Sequence, residues 1–142
     1  MKYDRSGIQF MYPDNWKVVD EQLDGFPRSV TVQSPSGAFW SLDIHPFSVR
    51  SEDLINEMVQ AIADEYDDVE SEPVEETVEE YDATGADLYW SCLDFVIKAR
   101  LRSFKNGHAT YVTLYQAEDR DFDEFEAVFR AMTHSLLNTA AA

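Results

Sequence analysis

A single cysteine, Cys92, stands among 142 residues, so no internal disulfide can form and the core alone must hold the fold. That usage fits a reducing compartment, and the cytoplasm is the expected location. Nowhere is there an apolar run of the roughly 20 residues that a membrane-spanning helix needs. The opening Met1-Lys2-Tyr3-Asp4-Arg5-Ser6-Gly7 passes straight into strand-like sequence, without the apolar stretch of an export signal. Membrane insertion is therefore not expected. Positive charge is scarce too: 11 Lys and Arg face 28 Asp and Glu, for a formal net charge of -17. Repulsion on that scale opposes nucleic acid and anionic membranes and favours cationic partners, although solubility alone also accounts for it.

Catalytic and cofactor signatures are missing as well. The five glycines, at 7, 25, 37, 85 and 107, form neither G-x-G-x-x-G nor a phosphate loop, and no G-x-S-x-G elbow occurs. His45, His108 and His134 are dispersed and have one cysteine to assist them, which argues against zinc. Asp119-x-Asp121-x-Asp123 matches the first three ligand positions of a calcium loop, but Glu124 stands where the sharp turn needs glycine and Arg130 where a bidentate carboxylate belongs. Helix capping explains these acids better. Carboxylates crowd the stretch from Asp64 to Asp82 so densely that any catalytic pairing drawn from it would be arbitrary. No metal, no cofactor and no enzyme activity are expected.

What is present is a core. Hydrophobic residues make up 44% and aromatics 13% of the chain, enough for one domain of this length to bury about two-thirds of its unfolded surface. Residues 1–137 read as that domain and residues 138–142 as a C-terminal tail. Gly7 to Pro13 alternates as a strand, and Trp16 to Val19 is expected to return against it as an opening hairpin. Ser29 to Ser34 and Phe39 to Phe47 make a second hairpin around Pro35-Ser36-Gly37, with Trp40, Leu42 and Ile44 on one face. Ser51 caps a helix whose Leu54, Met58, Ile62, Tyr66 and Val69 recur at helical spacing. Asp64 to Asp82, with Pro73, suits a loop plus an edge strand. A long strand from about Leu88 to Lys105 then turns at Asn106-Gly107 into a return from His108 to Ala117. Asp121-x-x-Glu124 caps a closing helix with the stripe Phe122, Phe125, Phe129, Met132 and Leu136. The order excludes regular βαβ alternation and gives an α+β fold: a curled antiparallel sheet of about six to seven strands with two amphipathic helices.

Gly7-x-x-Phe10-x-Tyr12-Pro13-x-x-Trp16, Gly85 at the head of a long strand, and Asn106-Gly107-His108 before Tyr111 together resemble the PsbP-like fold family, over about Ser6 to Leu137. That family includes the photosystem II extrinsic protein, Ran-binding Mog-type proteins and bacterial domains of unknown role. Its members are mostly not enzymes and serve as assembly, chaperone or adaptor modules, among them dimeric chaperones of type VI secretion effectors. No position here matches the metal-binding or Ran-binding residues of the better-known members, so the resemblance carries over fold and no site.

The candidate site comes from the hairpin register. With Asn106-Gly107 as a two-residue loop, Lys105 faces His108, so Leu101 meets Val112 and Ala99 meets Leu114 under the helices. On the opposite face Arg102 meets Tyr111, Arg100 meets Thr113 and Lys98 meets Tyr115, with Phe104 beside them. This face, Lys98, Arg100, Arg102, Phe104, Tyr111, Thr113 and Tyr115, is the one basic concentration in the chain and is expected to be open for a protein partner or a second copy. The competing use of these cations is to offset the acids from Glu75 to Asp82. The expected function is a non-enzymatic interaction domain of adaptor or chaperone type. The alternative is a small-molecule binder or cryptic enzyme with a pocket lined by Trp16, Trp40 and Trp90, although such aromatics are first of all core.

Overall fold

A computed structural model describes residues 1–5, 7–21 and 28–140. Five strands precede the first helix: β1 (Lys2–Arg5), β2 (Ile8–Met11), β3 (Lys17–Glu21), β4 (Arg28–Gln33) and β5 (Phe39–Pro46). Helix α1 (Ser51–Glu65) follows, then β6 (Glu70–Val78), β7 (Tyr81–Cys92), β8 (Phe95–Lys105), β9 (Ala109–Glu118) and helix α2 (Asp119–Ala140). β3 to β9 form a seven-stranded antiparallel sheet in the order β3-β4-β5-β9-β8-β7-β6, and β1 and β2 make a separate two-stranded ribbon. The α+β class, the antiparallel sheet and both helices agree with the sequence.

Three local expectations change. Strand β2 returns against β1, through the turn at Gly7, instead of against β3, which pairs with β4. The alternation of Ile8 to Met11 marks a strand but cannot name its partner, and Lys2 to Arg5 is too polar to announce one. The long strand from Leu88 is two strands, because Leu93 takes a left-handed φ of 56° and Cys92 pairs with Phe95 across the turn. The last hairpin is two residues longer than expected, with Lys105 opposite Thr110. Asn106 builds this turn by accepting the backbone N–H groups of His108 and Ala109 at 2.9 Å each. A shift of two preserves side-chain parity, so each residue keeps its face while its partner changes: Arg102 meets Thr113 and Arg100 meets Tyr115.

Helix ends also move. Arg50 occupies the cap position of α1 without a side-chain capping bond, and Ser51 instead accepts from the Ser103 hydroxyl at 2.8 Å. Helix α2 begins at Asp119, which puts Asp121 inside its first turn, and it continues to Ala140 through the first residues of the segment expected as a tail.

Two layers of side chains bracket the sheet. On one face α1 lays Leu54 and Ile55 over Leu88, Trp90, Ala99, Leu101 and Val112, and Tyr66 stacks on Trp90 at 4.9 Å. On the other, the α2 stripe of Phe122, Phe129, Met132 and Leu136 closes over Trp40, Leu42, Phe104 and Tyr115, with the β1–β2 ribbon placing Tyr3 and Phe10 beside it. Trp16 meets Phe125 and Phe129 edge-on at 5.5 and 5.8 Å, and Trp40 donates from Nε1 to Thr133 Oγ1 at 3.0 Å. The ribbon is tied down by Tyr3, whose hydroxyl donates to Asp20 on β3 and accepts from Arg28 on β4.

Phe129 is fully buried among other rings, so Phe129→Ala should lower stability by about 3 to 5 kcal/mol; a loss under about 1 kcal/mol in urea denaturation would contradict this packing. Tyr3 supplies a pH signature. Burial, then the Asp20 hydrogen bond, push its hydroxyl up to about 12 from an ordinary value of 10.0. The neutral phenol is therefore favoured by folding, and its contribution is present below pH 10 and lost as pH rises toward 12. Stability should fall across that window in the native protein and fall less steeply in Tyr3→Phe.

Candidate functional site

The ribbon and α2 cover the β3-β4-β5-β9-β8 part of their face and leave the β6–β7 side open. A cleft of about 600 Å³ results, floored by β6 to β9 and walled by the middle of α2. Val74, Glu76 and Val78 enter it from β6, Asp87 from β7, Arg100, Arg102 and Phe104 from β8, and Thr113 and Tyr115 from β9. Glu126, Arg130, Thr133 and His134 come from α2.

Five of the seven residues expected on an open partner-binding face line this cleft: Arg100, Arg102, Phe104, Thr113 and Tyr115. All seven share one face, as their parity requires, but the face is not open. Phe104 and Thr113 are fully buried, Arg102, Tyr111 and Tyr115 nearly so, and Lys98 is drawn aside to Asp119 at 2.9 Å. Two amphipathic helices were expected on one side of the sheet; they take one side each, so the arginine face lies under α2. The expectation of a free docking face is corrected accordingly.

Arg102 organises the cleft. Its register partner on β7 is Gly85, which pairs in turn with Val74 on β6. A Cβ at Gly85 would stand 1.9 Å from the Leu101 carbonyl oxygen and 2.9 Å from Arg102 Cδ. The missing side chain lets the arginine lie flat across β7 and reach the edge strand. There Nε donates to Glu76 at 2.6 Å, while Nη1 donates to Asp87 at 2.8 Å and to the carbonyls of Leu101 and Ala86 at 2.8 and 3.4 Å. The side chain is 8% exposed. Burial alone would lower its pKa, but the hydrogen bonds to Glu76 and Asp87 outweigh that and the net shift is upward. Glu76 belongs to the acidic segment, which thus offsets this arginine.

Arg100 lies parallel to it. Nε is 3.5 Å from Asp87, Nη1 donates to the Tyr89 hydroxyl at 3.3 Å, and the guanidinium carbon sits 4.9 Å from the centre of the Phe122 ring. Tyr115, stacked on Phe129 at 5.0 Å, is pushed above its ordinary pKa by burial against the opposing pull of Arg102, Arg130 and Arg100, so it stays a neutral donor. Thr113 is fully buried, and its hydroxyl has no hydrogen-bond partner among the described residues. Arg130 and Glu126 stand at the mouth as a loose i,i+4 pair at 3.9 Å.

The remaining candidates fall elsewhere. Trp16, Trp40 and Trp90 are all buried in the core and build no aromatic pocket. Of the histidines, only His134 reaches the cleft wall, where it bonds Glu79 in the β6–β7 turn at 2.5 Å. Asp119 and Asp123, four apart on α2, share a helix face, and Asp121, two from each, points to another side, so the three do not converge. Cys92 is exposed at the end of β7. Sequence reading passed over Asp87, Glu126 and Arg130, which bear on the cleft only through the register and the helix rotation.

Solved structures share this fold. A solution structure of cyanobacterial PsbP from a Synechocystis species superposes with a TM-score of 0.67 over 95% of this chain and 89% of that one, at 14% identity. The fold is PsbP-like. A Pseudomonas aeruginosa protein of unknown function, described as a candidate regulator, matches at 0.55 with 11% identity over 96% and 94% of the two chains. A Bacteroides thetaiotaomicron protein matches at 0.59 with 14% identity, covering 92% of this chain and 46% of that one. No protein-family model matches the sequence, and no curated protein does. Among the described residues no helix is long and apolar enough to cross a membrane.

If Gly85 exists to seat Arg102, the two positions are coupled. Gly85→Ala should cost about 1 to 3 kcal/mol by overpacking, and Arg102→Ala about 1.5 to 3 kcal/mol by removing its charge-assisted hydrogen bonds to Glu76 and Asp87. In urea denaturation the double variant should lose clearly less than the sum of the two; simple additivity would contradict the coupling.

Proposed function

We propose that this protein is a non-enzymatic interaction module whose partner is a basic, apolar-anchored polypeptide segment held at the β7–β8 end of the sheet. The observation that carries the reading is Leu93. It stands at the tip of that hairpin, 91% exposed, with a left-handed backbone that a branched side chain adopts at a cost. Phe95 and Val96 lie exposed beside it. A solubility-driven surface would place Asn or Gly at such a turn, since both accept that conformation more readily and neither exposes apolar area.

Charge defines the partner. The same end of the sheet gathers Glu65 and Asp67 from the close of α1, Glu70 at the start of β6, Asp94 in the turn, and Glu118 and Asp119 where β9 meets α2. The two cations placed there are engaged, Lys98 with Asp119 at 2.9 Å and Arg120 with Glu118 at 2.6 Å. An apolar knob inside an acidic ring suits a segment with apolar anchors flanked by Lys and Arg. A second copy would bring the same acidic ring, so the partner is a different chain. The architecture shared with PsbP-like proteins is compatible with such a module and does not name the partner.

Selection from a randomised peptide library should enrich basic sequences with apolar anchors, binding more weakly as salt rises. Leu93→Asn combined with Phe95→Thr should abolish their binding and leave the melting temperature unchanged or slightly higher. Enrichment of acidic peptides, or equal binding to the double variant, would overturn the reading.

A further inference from the structure

We infer that the cleft under α2 is a binding site for a small zwitterion of the α-amino-acid type. Its volume of about 600 Å³ falls within the range of small-ligand pockets. Its charge is balanced: Arg100, Arg102 and Arg130 stand against Glu76, Asp87 and Glu126. In a chain of net charge -17, an anionic ligand would be repelled on approach and a cation would find better surfaces outside. A zwitterion carries no net charge into that field and can answer both signs once inside.

The contacts are specific. Arg100 and Arg102 spend their Nε and Nη1 groups on Asp87, Tyr89, Glu76 and backbone carbonyls, so among the described residues Nη2 of each is the group left to donate, one to each oxygen of a carboxylate placed between them. Below them the Thr113 hydroxyl is completely buried and unpaired among the described residues, a group that folding leaves unsatisfied at a cost unless something enters. Thr113 faces Arg102 across the strand pair and Tyr115 faces Arg100, so two hydroxyls and two guanidinium groups form one cross-strand patch. At the mouth Glu126 is held, among the described residues, by a loose contact with Arg130 at 3.9 Å, and it is the acid placed to receive an ammonium group. Val74, Val78 and Phe104 supply an apolar wall for a side chain.

The test is titration of the intact protein, followed by amide chemical shifts, with each of the common L-amino acids up to 20 mM, roughly the weak end of metabolite binding. At least one should saturate and move Arg100, Thr113 and Arg130 together. Its N-acetyl and carboxamide derivatives, each lacking one charge, should bind at least tenfold more weakly. Thr113→Val, nearly isosteric, and Glu126→Gln, at a half-buried position, should each weaken binding severalfold without lowering the melting temperature, which Thr113→Val should leave unchanged or raise. Saturation by none of the amino acids, equal affinity for the N-acetyl derivative, or indifference to both substitutions would overturn the assignment. Because Leu93 and Phe95 lie at the sheet end outside this cleft, loss of peptide binding in their double variant leaves this result untouched.

Discussion

A guanidinium buried under a helix costs several kcal/mol of lost hydration unless hydrogen bonds and counter-charges replace the water. Arg102 is in that position, and much of the second half of the chain can be understood as its accommodation. It lies beneath α2 because β8 is an inner strand of a sheet covered on both faces. It is satisfied because β6 and β7 bring Glu76 and Asp87 to its Nε and Nη1. It reaches both because Gly85 clears its path. An acidic edge strand, a glycine in mid-strand and an arginine on a covered face each look odd alone. Together they form one interaction.

The same interaction makes a cleft of what would otherwise be core. Apolar residues in place of Arg102 and Glu76 would draw α2 down onto β6 and β7, as it is drawn onto β9 by Phe122, Phe129 and Tyr115. Charged floor groups keep their remaining polar edges in reach of water, so the helix and the sheet diverge over the edge strand. Edge protection follows from the same sequence. Pro73 removes a donor, and the glutamates of β6 set negative charge along the exposed side, which discourages strand-to-strand aggregation.

The sequence makes periodicity legible and leaves cover unassigned. Trp40, Leu42 and Ile44, the α1 row from Leu54, and the α2 stripe from Phe122 could be read directly, because alternation and helical spacing report which side chains face inward. The parity of Arg100, Arg102, Thr113 and Tyr115 was readable for the same reason and survived a two-residue error in register. What could not be read is which helix covers which face, since that depends on long-range packing that no local pattern encodes. Without it, a basic aromatic stripe looks like an open surface. The β7–β8 turn was hidden by Leu93, a residue that ordinarily argues against a tight turn. That local conflict marks the hairpin tip as the place where something other than folding shaped the sequence.

Whether Arg102 is the fixed centre of this half of the molecule can be read from its own side chain. Nitrogen-proton spectra of the folded protein at neutral pH should show the Arg102 Nε–H as a single sharp resonance, shifted by its Glu76 contact and exchanging with water orders of magnitude more slowly than exposed arginines. Rapid exchange with an unshifted resonance would mean that the guanidinium is solvated and the cleft is not built around it.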